Sequence, residues 1–194
     1  MKEKMEIKDL ISVGIFGAIY LAIFMISITV VGMVPKIYFF AGAVSSLFLG
    51  TIYMLFVSRT GKKYSILMMG VLIVTIMGLM MGGLWTVFVF GYGVVIIAEI
   101  IASIGNYKSF KLNTLSYMVF ALFPFGVYSA FWVMKDQMLE MSKPYGDIYV
   151  TTLEKLINPT TLIYAIIATL ICAMIGSLIG KKILKKHFEK AGIA

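Results

Sequence analysis

Side chains that could do chemistry are scarce in this sequence. It contains one histidine, His187, in a lysine-rich segment, and one cysteine, Cys172, inside an apolar run. A His-Glu-x-x-His zinc motif and a glycine-rich phosphate loop ending in Lys-Ser/Thr are both missing, and one solvated histidine cannot complete a Ser-His-Asp triad within apolar segments. A single cysteine forms no intrachain disulfide, and we interpret it as a packing residue. We therefore expect a protein that is not an enzyme, hydrolyses no ATP itself and holds no metal or cofactor.

Glu99 is the one ionisable side chain deep in an apolar run, which extends from Tyr64 to Tyr107. Because a charge at the centre of a membrane helix costs roughly 2.5–3.5 kcal/mol on insertion scales, its presence requires a reason. Three interpretations stay open: a structural anchor satisfied by backbone groups or by a partner such as Asn106, a contact or coupling element near the inner surface, and a proton or substrate site. At about 13 Å from Lys108, Glu99 is expected in the inner half of the membrane.

A second group of residues could bind a ligand rather than react with it. Its members are aromatic and methionine side chains expected near the outer ends of the helices: Tyr38, Met80, Met81, Trp85, Tyr128, Trp132 and Tyr164. Together they could line a substrate cavity. Trp and Tyr also populate membrane interfaces for their amphipathic character alone, and flexible methionines also fill helix-bundle cores. Both interpretations stay open for each residue.

The composition decides what kind of scaffold positions these residues. Of 194 residues, 61% are hydrophobic and 13% are charged, whereas an ordinary soluble domain has about 25% charged residues. This excludes a soluble globular protein. At about 20 apolar residues per crossing, the chain 1–194 accommodates one membrane domain of six spans. The first apolar run is too long for a signal peptide and is interpreted as the first span.

Uncharged stretches predict an all-α bundle of six transmembrane helices. The expected spans are 10–34, 37–58, 64–82, 84–106, 112–134 and 158–181, with an outer loop at 135–157 that is polar and partly ordered. The glycine pair Gly82-Gly83 is typical of a tight reversal between the third and fourth spans. Asn158-Pro159 predicts an N-cap followed by the first helical residue. Pro124 should kink the fifth span.

The basic residues predict the orientation of this bundle. With six spans, thirteen Lys and Arg residues fall on the side of the termini and four on the opposite side. The excess of positive charge places both termini in the cytoplasm of a bacterial cell, with the protein in the plasma membrane. The net charge of +8 is therefore explained by topology and by attraction to anionic lipid. We do not expect binding of nucleic acid.

Small residues recur four positions apart in several predicted spans, which lets another backbone approach closely. The stripes are Gly14, Ala18 and Ala22 in the first span, Gly42, Ser46 and Gly50 in the second, Gly78 and Gly82 in the third, and Ala168, Cys172, Gly176 and Gly180 in the sixth. We expect most of them to pack within the bundle. The spacing alone does not distinguish internal packing from contact with a partner protein.

The order of these features resembles that of S components, the membrane-embedded substrate-binding subunits of energy-coupling factor (ECF) transporters, and within them the Trep_Strep family. The resembling segments cover nearly the whole chain: Lys8 to Gly14 continuing into Gly14-xxx-Ala18-xxx-Ala22, Gly50 to Leu55, Ala98 to Ala102, Gly105 to Ser109, and Asn113 to Tyr117. Their order, the six spans and the length agree.

The resemblance implies a subunit of an ECF-type ABC importer that captures a vitamin-like micronutrient or other trace nutrient at its outer face. Such a subunit delivers its ligand by toppling against a membrane-embedded coupling subunit, the T subunit, driven by two ATPase subunits. Gly14, Ala18 and Ala22 then correspond to the stripe that meets the coupling subunit, where Gly14 replaces the usual alanine. The pocket is implied between outer loops and the outer halves of the last three helices. That position includes Trp85, Tyr128, Trp132 and Tyr164.

The ligand itself stays open. Biotin, thiamine, a flavin, a queuosine precursor and a flat hydrophobic tetrapyrrole are all compatible with the resemblance. A metal ion is disfavoured because the histidine-rich amino-terminal site of metal carriers is absent. Two alternatives of another class also remain: an independent proton-coupled carrier that uses Glu99, and a membrane assembly factor.

Overall fold

The computed structural model describes residues 5–190, together with the side chains of residues 5–185. The side chains of Lys186, His187 and Lys190, and the whole of Lys2 and Lys4, lie outside the part described. Residues 5–190 fold into helices without a strand. The α-helices are α1 (Ile7–Gly32), α2 (Ala41–Thr60), α3 (Ser65–Met80), α4 (Trp85–Ile104), α5 (Phe110–Phe120), α6 (Phe125–Val133), α7 (Lys135–Ser142), α8 (Asp147–Leu156) and α9 (Pro159–Lys190).

Five segments within the described residues are long and apolar enough to cross a membrane. They are Ile7–Gly32, Pro35–Thr60, Trp85–Ile104, Phe110–Val133 and Pro159–Lys185. The second begins with a 3₁₀ helix, Pro35–Phe40, that leads directly into α2. Helix α3 has 16 residues, or about 24 Å at 1.5 Å per residue, and falls short of the roughly 30 Å of a bilayer core. It nevertheless packs along α4, where Gly70 faces Val95 and Gly78 faces Phe88.

Two of the predicted helix boundaries are confirmed by the local backbone. Gly82 and Gly83 have φ angles of +69° and +78°, so the reversal between α3 and α4 uses the left-handed conformations that glycine tolerates. Asn158 Oδ1 accepts a hydrogen bond of 2.8 Å from the Thr161 N–H, and α9 begins at Pro159 as an N-cap followed by proline predicts.

The fifth predicted span differs from the expectation. Instead of one kinked helix, the chain forms two helices, with a turn between Phe120 and Phe125 that ends in Pro124. Proline lacks the N–H that a continuous helix needs and its ring clashes with the preceding turn, so the helix restarts after it. The 135–157 segment is also more regular than predicted, because it contains α7, a short 3₁₀ helix at Lys143–Tyr145, and α8.

The closest helix contact joins α2 and α9. A Cβ on Gly176 would lie 2.5 Å from the Ser46 carbonyl oxygen and 2.7 Å from that of Leu47, and one on Gly180 would lie 2.9 Å from Thr51 Cα. The two backbones therefore touch without intervening side chains. The small residues of these two helices pack within the bundle, as expected for most of the stripes.

Buried hydroxyl groups join α2, α4 and α5 across the centre of the bundle. The hydroxyls of Tyr53 and Ser116 are 2.7 Å apart, and Ser116 Oγ donates to the Ala98 carbonyl at 2.5 Å. Tyr117 donates to the Ser46 carbonyl at 2.6 Å. All three side chains are fully buried. Because an unpaired polar group in an apolar interior is costly, these bonds fix the rotation of each helix relative to its neighbours.

The α2–α9 contact yields a prediction about stability. Replacing Gly176 by alanine should force two backbones apart and destabilise the fold by about 1–3 kcal/mol. The matched control is Gly14→Ala in α1, where a Cβ meets nothing within 4 Å. Thermal unfolding in detergent, followed by the size-exclusion peak, measures both variants. Equal midpoints for the two would contradict the backbone contact.

Candidate functional site

A cavity of about 330 Å³ opens at the end of the bundle formed by the carboxyl end of α1, the 35–40 helix, α6 and the α7–α8 segment. Six of its lining residues are methionines and six are aromatic. Thioethers adapt their rotamers to irregular shapes and make favourable contacts with aromatic rings. None of the described residues that line the cavity carries a charge. The cavity is therefore suited to a neutral ligand with a large apolar surface.

One wall of the cavity is an aromatic cluster held in a fixed orientation. Tyr38 meets Tyr128 and Phe131 edge to face, with ring centroids 5.8 and 5.5 Å apart. The Tyr128 hydroxyl accepts a hydrogen bond of 3.0 Å from the Gly42 N–H at the start of α2. Such edge-to-face pairs add directional energy to burial. The wall is therefore preorganised before any ligand enters.

The opposite side is covered by a strap formed by α7 and α8. Tyr149 on α8 donates a hydrogen bond of 2.6 Å to the Gly32 carbonyl at the end of α1, and its ring stacks on that of Tyr145 at 5.0 Å. Burial raises the pKa of the Tyr149 hydroxyl, so this donor keeps its proton. Lys135 and Glu154 pair at 2.8 Å and join the base of α7 to the end of α8. Among the described residues, the hydrogen bond from Tyr149 to Gly32 is the side-chain bond that joins the strap to α1.

The structure divides the seven residues proposed from the sequence for ligand binding. Tyr38, Met81 and Tyr128 line the cavity. Trp132 packs behind it against Phe39, with centroids 5.3 Å apart. The remaining three, Trp85, Met80 and Tyr164, do not line it and are 52%, 57% and 61% exposed.

Sequence reasoning missed the residues that the strap contributes. Met138, Met141, Tyr145 and Tyr149 line the cavity but lie in a segment interpreted as a polar outer loop. Tyr145 and Tyr149 are four residues apart, and this spacing, together with the methionines at 138 and 141, was the available signal. The charged residues between them obscured it.

The Glu99 carboxylate lies at the opposite end of the bundle, where it caps the amino end of α3. It accepts hydrogen bonds from the backbone N–H groups of Tyr64 at 2.8 Å and Leu67 at 3.1 Å, and from the Tyr107 hydroxyl. Burial and the bond to Glu99 raise the pKa of the Tyr107 hydroxyl, so Tyr107 is the donor. A helix leaves its first N–H groups unpaired and carries partial positive charge there, so a carboxylate is the group that such an end favours.

A second carboxylate fixes the same turn from α1. Asp9 is buried and pairs with Lys62 at 2.8 Å, and its Oδ2 also accepts the Glu6 N–H at 2.8 Å. The 61–64 turn is thus joined to α1 by Asp9 and to α4 by Glu99. Of the partners considered from the sequence, Glu99 thus bonds to backbone groups, and its side-chain donor is Tyr107 rather than Asn106.

The stripe of Gly14, Ala18 and Ala22 differs from the other small-residue stripes. All three residues are exposed, and a Cβ on Gly14 would meet nothing within 4 Å. Gly17, by contrast, faces inward against Leu72. The face of α1 formed by Gly14, Ala18 and Ala22 therefore carries small residues on successive turns and is not covered by another described helix. The small residues of α2 and α9, in contrast, pack inside the bundle.

The chain matches the model of a known protein family. A protein-family model described as a hypothetical bacterial integral membrane protein (Trep_Strep) matches residues 7–190. No curated protein and no solved structure matches the chain. The match supports a bacterial integral membrane protein, and the description of the family names no activity.

The geometry around Glu99 predicts a graded loss of stability. Glu99→Ala leaves the Tyr64 and Leu67 N–H groups without an acceptor and should cost about 2 kcal/mol or more, whereas Tyr107→Phe removes one donor and should cost about 1 kcal/mol. Glu99→Gln should fall between them. Thermal unfolding of the three variants in detergent tests the order. An unchanged midpoint for Glu99→Gln, with loss of transport, would instead indicate a proton site.

Proposed function

The chain belongs to the Trep_Strep family of hypothetical bacterial integral membrane proteins, and on that premise we propose that it is the substrate-capture subunit, or S component, of an ECF-type importer in the bacterial plasma membrane. It binds a small nutrient in the outer cavity and passes it inward with the help of a coupling membrane subunit and two ATPase subunits. In this proposal the chain catalyses no reaction of its own.

The observation that carries the proposal is the uncovered face of α1. Gly14, Ala18 and Ala22 are exposed, although small residues at this spacing usually serve close helix packing. A second helix can approach α1 here within backbone distance. The sequence resemblance assigns this face to contact with the coupling subunit, and the structure leaves it free for such a contact.

The arrangement of the ends supports an import direction. In the proposal, α3 also crosses the membrane, alongside α4, which brings the number of spans to six. The end of the bundle that holds Lys62 and Lys108 faces the cytoplasm because positive charge is retained there. The cavity then opens at the outer surface, where a nutrient arrives. The short α3 is accommodated by local thinning or by burial of its ends in protein.

The lining of the cavity restricts the ligand class. Without a charged lining residue, a strongly ionic nutrient would lose its hydration without compensation. We therefore infer a neutral ligand with an aromatic or flat apolar part, which stacks against Tyr38, Tyr128 and Phe131. Vitamin-like molecules and flat hydrophobic cofactors, a tetrapyrrole included, belong to this class.

The alternatives have less support from the geometry. A proton-coupled carrier would need a Glu99 carboxylate that is open to exchange, yet it is 6% exposed and accepts three hydrogen bonds. A membrane assembly factor would explain the face on α1 but would not need the cavity.

Co-purification tests the coupling face. Gly14→Trp or Ala18→Trp should abolish recovery of the coupling and ATPase subunits with the tagged protein from native membranes, because an indole keeps a second helix from the backbone. The matched control is Gly93→Trp in α4, where a Cβ also meets nothing within 4 Å. Quantitative mass spectrometry of the purified fraction provides the measurement. Equal recovery from Gly14→Trp and Gly93→Trp would overturn the assignment of this face.

A methionine pair tests the cavity. Met141 lines it and Met80 does not, while the two are 50% and 57% exposed. Met141→Trp should fill the cavity and lower the amount of co-purified small molecule about tenfold, which corresponds to about 1.4 kcal/mol. Met80→Trp should leave it unchanged. The measurement is mass spectrometry of molecules released from the denatured protein, and equal loss in both variants would place the ligand elsewhere.

A further inference from the structure

A second cavity, larger than the methionine- and aromatic-lined cavity described above, lies at the opposite end of the bundle. It has a volume of about 610 Å³ and lies between the ends of α2, α5 and α9 and the turns at 61–64 and 105–109. The proposed import function makes no use of it. We call it the basic groove, because its lining includes Arg59, Lys62, Lys108, Lys181 and Lys185.

The cations of the basic groove have unequal environments. Lys62 is held by Asp9 at 2.8 Å, and the Lys181 ammonium lies 4.4 Å from the centre of the Phe110 ring. Arg59 and Lys108 are exposed and form no ion pair with the described residues. No acidic residue is among the described lining residues. Arg59 and Lys108 therefore bring positive charge to the groove that no acidic side chain among the described residues pairs with.

A buried amide in the same lining lacks a hydrogen-bond partner. Asn113 is 7% exposed and donates through Nδ2 to the Tyr107 carbonyl at 2.9 Å. That bond fixes the orientation of the amide, and its Oδ1 is buried without a donor. Buried side-chain acceptors are normally satisfied, so this atom indicates a missing donor at the groove.

One part of the groove wall is apolar. Phe110, Leu184, Met54 and Val57 form this part of the wall. Leu178, one turn before Lys181 on the same face of α9, is 49% exposed, so the outer apolar surface of the bundle continues to the groove. A soluble inorganic anion or the acidic groups of a peptide gain nothing from contact with this apolar wall, whereas a lipid acyl chain packs against it favourably.

We propose that the basic groove binds the headgroup of an anionic glycerophospholipid. Arg59 and Lys108, with Lys181 and Lys185, attract the phosphodiester, and an acyl chain lies against the apolar wall. Basic pockets between transmembrane helices are a recurrent site for anionic headgroups. A headgroup hydroxyl, as in phosphatidylglycerol, is a donor of the kind that Asn113 Oδ1 lacks.

Native mass spectrometry of the purified full chain in neutral detergent tests the proposal. Phosphatidylglycerol and phosphatidylcholine of the same acyl composition are titrated in parallel. The double variant Arg59→Gln/Lys108→Gln is compared with Lys111→Gln/Lys182→Gln, which removes the same charge from exposed lysines outside the lining. Size-exclusion profiles establish that each variant is folded.

We expect one phosphatidylglycerol bound to the wild type and to the control, no phosphatidylcholine, and about tenfold weaker binding in the groove variant. Equal weakening in both double variants would overturn the proposal in favour of diffuse surface charge. Displacement of the lipid by millimolar inorganic phosphate would overturn it in favour of a small-anion site. Wild-type protein that binds no phosphatidylglycerol, while an acidic segment of a co-purified subunit crosslinks to Lys108, would overturn it in favour of a protein partner.

Discussion

The carboxylate of Glu99 accepts hydrogen bonds from backbone N–H groups at the start of α3, and the end of the bundle that contains the 61–64 and 105–109 turns depends on this interaction. In an apolar surrounding, every backbone N–H must find a partner within the protein, and α3 begins where its first N–H groups face α4. Tyr64 and Tyr107 provide two of the donors to Glu99 while their own φ angles are +73° and +60°. Such conformations are unfavourable for bulky residues and persist only where several contacts hold them. The two turns thus depend on one carboxylate.

The position of the basic groove follows from those turns. Lys62 and Tyr107 both line it, and each is fixed by a carboxylate: Lys62 by Asp9 and Tyr107 by Glu99. The buried Asn113 then bonds to the Tyr107 carbonyl. Acidic residues at this end are therefore engaged in shaping the backbone, which leaves Arg59 and Lys108 without acidic partners among the described residues. An excess of positive charge and a defined concavity arise from the same set of contacts.

The sequence predicted what depends on local chemistry. The turn at Gly82-Gly83 and the cap at Asn158 follow from conformational preferences of single residues, and both are present. Backbone groups were one of the partners considered for Glu99, but which ones did not follow from the sequence, because they lie 32 and 35 residues away. The cavity was predicted only in part for a related reason: Trp85 and Tyr164 are aromatic residues at helix ends like Tyr38, and only tertiary packing decides which of them turn inward. A hydropathy pattern also cannot distinguish a polar loop from the amphipathic strap of α7 and α8.

Helix α1 links the two halves of the proposed function. Its carboxyl end contributes Phe24, Met25 and Ile28 to the cavity and holds the strap through the Gly32 carbonyl, whereas its amino half carries the exposed Gly14 and Ala18. The cavity and the exposed small residues are therefore joined by one continuous 26-residue helix. Because packed helices shift as rigid bodies rather than deform continuously, a displacement at the cavity end of α1 would also move the face that carries Gly14 and Ala18. The Asp9–Lys62 ion pair holds the other end of α1 to the 61–64 turn.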